Sequence, residues 1–247
     1  MDSRLFKVPA VEIVVRDTKW AEEKGIVSYL RLSLCLPYPI LLVPVVCGYI
    51  DSDGYNPTRT LSQFLEIHYK GAPQKDAQPL VFVGKGITFD AGGISLKPRA
   101  GMKLIRGDMG GAASVISAAL AFAKLQLPVS LAVRTPLMLM ENIPGPSAAK
   151  PGDIVYAMNG KSVEVDNTDA EGRLVLSDTI YASTEYKPHT RIDVATLTGQ
   201  TRNSAMDSAL GEIYTGVFSS WDELWEQLHE AGDHEFDRFW RMPLNED

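Results

Sequence analysis

Short apolar runs that end in glycine or polar turns alternate along this chain with longer helix-forming stretches, and that alternation restricts its fold more than any other feature. Residues 80–83 (Leu, Val, Phe, Val) form a buried-strand run that stops at Gly84, Lys85 and Gly86. Residues 109–123, rich in glycine and alanine, predict a closely packed helix with Asp108 at its start as a cap. Residues 129–133 predict another short strand, residues 174–181 are apolar-rich, and residues 192–197 predict a strand closing on Thr198 and Gly199. Residues 64–69 and 162–166 alternate polar with apolar as half-buried strands do. Strands spaced by helices predict an α/β fold, a mixed and mostly parallel sheet flanked by helices. Ligands in such sheets bind beyond the carboxyl ends of the strands. Lys85, Asp169 and Thr198 all fall just after predicted strands.

The remaining segments are plainer. Residues 19–30 predict a short helix with Asp17 and Thr18 as caps. Residues 32–50 carry no charge, but Pro37, Pro39 and Pro44 interrupt them, which argues against a bilayer-spanning helix. Residues 51–60 and the Pro- and Gly-rich 141–153 have loop composition, 221–230 predict an amphipathic helix, and 239–247 a tail. At 247 residues and 45% hydrophobic, the chain has material for one good core and a small second lobe. A net charge of -7 without a basic block argues against nucleic-acid and anionic-membrane partners. The first 15 residues lack the apolar core of a signal peptide. Cys35 and Cys47 make no disulfide framework and stand in no zinc-type spacing with the four histidines. A cytoplasmic enzyme is the expectation.

The chemistry concentrates at Asn167, Thr168, Asp169, Ala170, Glu171, Gly172 and Arg173, on a strand-to-helix turn. One reading is a helix start with Asp169 as cap and Glu171 favoured by the dipole. The other is a cation site, because two carboxylates pointing the same way repel unless a positive charge joins them. Lys85 between two glycines suggests a phosphate loop, yet it is followed by Gly86 and Ile87 where such a loop needs Ser or Thr. Asp90, Lys97 and Asp108 follow downstream. Lys85, Asp90, Asp108, Asp169 and Glu171 together offer mainly oxygen donors, suited to Mg, Mn or Zn, and bridging carboxylates can hold two such ions. A lysine ligates only as the neutral amine; otherwise it is an ion-pair partner.

Val83, Gly84, Lys85, Gly86, Ile87, Thr88, Phe89, Asp90, Ala91, Gly92, Gly93, Ile94, Ser95, Leu96, Lys97, with Asp108, Met109, Gly110, Gly111 and the run 167–173, resemble the signature segments of the leucyl aminopeptidase family of two-metal exopeptidases. The spacings from Lys85 to Asp90, Lys97 and Asp108 match as well. The resemblance implies the family's catalytic-domain fold, and metal ligands at Lys85, Asp90, Asp108, Asp169 and Glu171, with Asp90 and Glu171 bridging two ions (Zn, Mn or Mg). It implies catalytic cations at Lys97, polarising the scissile carbonyl, and at Arg173, holding a bicarbonate that acts as base. The substrate would meet Ser95 as well as Lys85, Asp90, Lys97, Asp108 and Asp169. The implied activity is removal of N-terminal residues such as leucine from peptides with a free N-terminus by metal-activated hydroxide, in a cytoplasmic homo-hexamer.

The chain departs from the family pattern in several places. The family carries an N-terminal domain and further structure beyond Trp240, Arg241, Met242 and Pro243, so a truncated member is expected. Residues 1–30 read as a connecting segment with a helix, 31–62 as an insertion, and 63–247 as a partial catalytic domain. Ala91 stands where the family has serine, and residues 200–204 are an extra piece. Two other functions remain open. A metal-binding but inactive remnant would act as an interaction protein, and a phosphate-binding module would use the turn 84–86, although the carboxylates would repel its ligand.

Overall fold

The computed structural model of the chain describes residues 10–25, 64–135, 138–145, 148–197, 214–235 and 237–244. The uncharged stretch 32–50, the rest of the expected insertion, the extra piece 200–204 and the turn at Thr198 and Gly199 lie outside the described residues. By internal packing, the residues up to Leu197 form one unit and those from Thr198 another.

The first unit is built on a five-stranded sheet in the order β1 (Val11–Arg16), β2 (Phe64–Lys70), β5 (Ser130–Thr135), β3 (Leu80–Gly84), β9 (Thr190–Val194). Its β1, β2 and β5 are antiparallel, with Ile13 opposite Ile67 and Ile67 opposite Val133. β5, β3 and β9 are parallel, with Phe82 opposite both Val133 and Ile192. The chain leaves β3 through the short β4 (Ile87–Asp90), a 3₁₀ turn at Met102–Gly107 and helix α2 (Gly110–Leu125), and returns as β5 on one side of β3. It comes back on the other side as β9, after β6 (Met138–Asn142), the hairpin β7 (Asp153–Tyr156) and β8 (Ser162–Val165), and helix α3 (Glu171–Ala182). Strands that diverge to both sides of β3 leave a crevice beyond its carboxyl end, the position at which open α/β sheets bind ligands.

Alternation along the strands decides which helix covers which face. Leu65, Ile67, Tyr69, Leu131 and Val133 point to one face and pack with Val115, Ala119 and Ala123 of α2. Val81, Val83 and Ala132 point to the other and pack with Leu176 of α3. Fully burying a Val or Leu in this way contributes about 1.5–3 kcal/mol each. The small residues of α2 serve packing, as their composition predicts. Asp108, however, does not cap that helix: the capping position is Met109 and no side chain closes it.

Two further local expectations change. Residues 141–153 are not all loop, because Met138–Asn142 pairs in parallel with Ile87–Asp90. Glu66 of β2 does not face water: it is buried opposite Arg134 of β5. Arg134 Nη2 donates to Glu66 Oε1 at 2.8 Å and also to Glu185, and its Nε donates to the Tyr186 hydroxyl at 2.8 Å. Arg16 donates to the second Glu66 oxygen at 3.3 Å. The short helix α1 (Thr18–Glu23) starts where expected, with Asp17 Oδ1 accepting from the Trp20 N–H at 2.9 Å.

In the second unit, β10 (Tyr214–Val217) and β11 (Arg238–Arg241) pair in parallel around helix α4 (Asp222–Glu235). The expected tail thus contributes a strand. Arg241 holds the helix start by donating to the Ser219 carbonyl at 3.0 Å and pairing with Asp222 at 2.6 Å.

Candidate active site

The crevice at the strand ends holds two lysines, each bracketed by two carboxylates. Lys85 follows β3, and its backbone is tied to both neighbours: its N–H donates to the Val194 carbonyl at 3.0 Å, and its carbonyl accepts from Ala112 N–H at 2.7 Å. Its side chain runs inward, 3% exposed, and its ammonium lies 2.8 Å from Asp108 Oδ2 and 2.9 Å from Glu171 Oε1. The side chain passes so close to Gly172 that a Cβ there would sit 2.5 Å from Lys85 Cε. Glycine at 172 is therefore part of the lysine's channel, not a turn signal.

Lys97 forms the second centre. Its N–H donates to the Ala91 carbonyl at 2.8 Å, and its ammonium reaches Asp90 Oδ2 at 2.7 Å and Asp169. Asp169 and Glu171 therefore do not point the same way. Residues 168–170 form a 3₁₀ turn that sends Asp169 to Lys97 and Glu171 to Lys85. The cap of this turn is Asn167, whose Oδ1 accepts from Asp169 N–H at 2.9 Å, and neither Asp169 nor Glu171 serves that purpose.

Thr168 laces the glycine-rich loop to this turn. Its hydroxyl donates to the Gly92 carbonyl at 2.7 Å and accepts from Ser95 N–H at 2.9 Å, while the Ser95 hydroxyl accepts from Thr168 N–H at 3.3 Å. Ser95 is half-buried and engaged in that clamp. Gly93 has φ +64°, and a Cβ on it would press on Asn142 and Thr168. Asn142, Thr168 and Thr196 were not among the expected site residues. Thr196 donates its hydroxyl to Asp108 Oδ1 at 2.7 Å, and the Asn142 amide touches both Asp90 and Glu171. Thr168 was legible as part of the run 167–173; for Asn142 the only signal was the apolar Met138, Leu139 and Met140 before it. Arg173 is exposed on the first turn of α3 and makes no ion pair among the described residues.

Four carboxylates against two ammoniums leave a local excess of negative charge in a largely buried place. Burial holds the Glu171 carboxyl up at about 7, against the pull of Lys85 and with the help of Asp90. Burial likewise raises Asp108. Burial alone would lower Lys85, but Glu171 and Asp108 outweigh it and keep the ammonium charged above its usual range. Asp108 Oδ2 and Glu171 Oε1 accept no well-aligned hydrogen bond among the described residues; each has only the Lys85 charge beside it. Asp90, Asp108 and Glu171 are all buried and offer one oxygen each within 4.8 Å of one another, which suits a divalent cation. Buried carboxylate oxygens that share a single ammonium, and the uncompensated charge, both fit a metal at this position.

A buried acidic cluster of this kind beyond the ends of a mixed sheet suits a divalent cation, and similarity to known proteins gives the family. The catalytic-domain model of the cytosol aminopeptidase family matches residues 57–247. The chain belongs to the cytosol aminopeptidase family. It is 54% identical over 235 residues to a cytosol aminopeptidase of Mus musculus, 46% over 235 to one of Homo sapiens, and 45% over 234 to one of Dictyostelium discoideum. In each case 95% of this chain aligns, with 40%, 40% and 39% of the relative, so the chain spans about two fifths of those proteins. A solved leucine aminopeptidase of Caenorhabditis elegans superposes with a TM-score of 0.79 at 27% identity, covering 99% of this chain and 44% of that one.

Proposed function

We propose that this chain carries the two-metal centre of an aminopeptidase that removes N-terminal residues such as leucine from peptides. The observation that carries the reading is the convergence of buried Asp90, Asp108 and Glu171, with one oxygen of Asp108 and one of Glu171 facing only the Lys85 ammonium. Lys85, Asp90, Asp108, Asp169 and Glu171 would hold the pair. Bound there, Zn, Mn or Mg supplies a Lewis acid for the carbonyl and a water acidic enough to ionise near neutral pH.

The chain's own groups define the remaining steps. Lys97, one-fifth exposed, presents its ammonium at the edge of the carboxylate cluster, where it can stabilise negative charge growing on the scissile carbonyl oxygen. To do so it must release Asp90 or Asp169, which hold it in the free site. Arg173 stands exposed two positions from Glu171, so its guanidinium is available to a small anion. Arg173 would hold a bicarbonate there, which would supply a base where every carboxylate of the cluster is committed to metal. The Ser95–Thr168 clamp keeps the 91–97 loop, and with it Lys97, in register with Asp169. Cytoplasmic location and a homo-hexamer follow the same family reading, which the relatives' name, cytosol aminopeptidase, supports for location.

The test is hydrolysis of a leucine anilide by the 247-residue chain with Mn²⁺ or Zn²⁺, beside Asp169→Asn and Arg173→Ala. Metal-dependent turnover is expected, abolished in Asp169→Asn. In Arg173→Ala it should fall roughly 10²-fold or more with metal content nearly unchanged. Loss of both ions in Arg173→Ala would refute the division of roles, and bound metal without turnover would favour the inactive remnant.

A further inference from the structure

Asn142 ends β6, and the pairing of that strand with β4 sets it directly opposite Asp90. Its carbonyl accepts from Ala91 N–H at 2.8 Å and Gly93 N–H at 3.3 Å, so its backbone is fixed from two sides. Its side chain is buried, and the amide nitrogen lies 2.8 Å from the Thr168 carbonyl, 2.9 Å from Asp90 Oδ1 and 3.1 Å from Glu171 Oε2. All three neighbours are acceptors, which settles that the NH₂ end faces them. Two hydrogens serve three oxygens, and the longest contact, to Glu171, is the shared one.

We propose that Asn142 is a positioning residue of the metal centre: a neutral donor that ties Asp90 to Glu171 and leaves the opposite oxygen of each for cations. This rests on the metal reading above. The division of oxygens is visible in the site. Asp90 Oδ1 faces Asn142 and Gly92 N–H, while Oδ2 faces Lys97. Glu171 Oε2 faces Asn142, while Oε1 has no hydrogen bond and only the Lys85 charge nearby. A lysine or arginine in this place would tie the same carboxylates but neutralise the charge that attracts metal. An amide holds them and leaves the charge intact. Partners one step removed from a metal typically govern affinity by 10–100-fold through the orientation of its ligands.

The experiment follows free Mn²⁺ by its paramagnetic resonance during titration of the 247-residue chain, of Asn142→Ala and of Asn142→Leu. Alanine removes the donor and leaves a cavity; leucine removes the donor and keeps the volume. Both variants are expected to bind Mn²⁺ about 10–100-fold more weakly, by similar factors, because the effect follows the donor. Melting of the metal-free forms is recorded alongside, since a purely structural role would move melting and leave Mn²⁺ affinity alone. Affinity within twofold of the unsubstituted chain in both variants, or loss in the alanine variant only, overturns the proposal. Should neither variant fold, the ¹⁵N side-chain amide signal of Asn142 in the unsubstituted chain should shift on Zn²⁺ addition, and an unshifted signal overturns it. If the unsubstituted chain binds no Mn²⁺, the metal reading itself falls; if it binds and the variants match it, only the role of Asn142 does.

Discussion

Lys85 Nζ lies 2.9 Å from Glu171 Oε1, with 3% and 1% of the two side chains reaching solvent. An ammonium thus stands beside a carboxylate that the proposed function assigns to metal, and both must change protonation for the two to ligate together. The Glu171 carboxyl is held up at about 7, above its ordinary 4.5, chiefly by burial. Between those values the metal-free folded chain keeps a proton that the unfolded chain has lost, so the stability of the metal-free form falls as pH rises through that window. Metal binding needs the ionised carboxylate and therefore strengthens over the same window.

Calorimetric titration with Mn²⁺ in buffers of different ionisation enthalpy measures the consequence. Proton release per chain should be greater at pH 6 than at pH 8 by about one, the Glu171 proton, on top of any released by Lys85. Equal release at the two pH values would show that Glu171 is ionised before metal arrives.

Gly172 makes a second prediction, one in which stability and metal binding part company. It is the second residue of α3, where alanine should favour the helix by about 1 kcal/mol. Yet a Cβ there would lie 2.5 Å from Lys85 Cε and 2.7 Å from Nζ. The obstacle is the end of a flexible side chain, so Gly172→Ala should fold, with a melting temperature within a few degrees, and bind Mn²⁺ about tenfold more weakly or worse. Unchanged affinity would mean that Lys85 has room to move without loss to the site.

The Glu66–Arg134 pair supplies the third. Both side chains are buried, and Arg134 also contacts Tyr186 and the half-exposed Glu185. Glu66→Leu leaves the buried guanidinium short of its best partner and should cost about 3 kcal/mol in urea unfolding. Glu66→Leu combined with Arg134→Met removes both charges and should cost less than the single change. A double variant destabilised by the sum of the two singles would show that the pair is not coupled.

The alternation of β2 illustrates a limit of periodicity. It marks Leu65, Ile67 and Tyr69 as one face, and α2 covers that face. It equally marks Glu66 as facing water, which is wrong because Arg134, 68 residues away, meets it under the 3₁₀ turn Ser183–Tyr186. Asp108 shows the same limit at a helix end. Local chemistry suggests a cap, while Thr196 and Lys85 claim the carboxylate. For Asn142 the apolar residues before it gave no hint of its role: its contacts reach back 52 residues to Asp90 and forward 29 to Glu171.

What the sequence determined by itself is therefore whatever depends on neighbours along the chain. That includes the strand runs at 80–83 and 129–133, the small-residue helix after Asp108, and the charged motif segments that carry Lys85, Asp90, Lys97, Asp108, Asp169 and Glu171, with Lys85 and Asp169 just after strands. Only the tertiary structure decided which lysine each carboxylate meets, that Asn167 and not Asp169 caps the turn, and that Asn142 joins Asp90 to Glu171. Propensity and periodicity act over a few residues, whereas these contacts exist only once β4 and β6 pair and α3 packs on the sheet. That packing brings side chains far apart in sequence within hydrogen-bonding reach in a site that excludes water, where their charges interact most strongly.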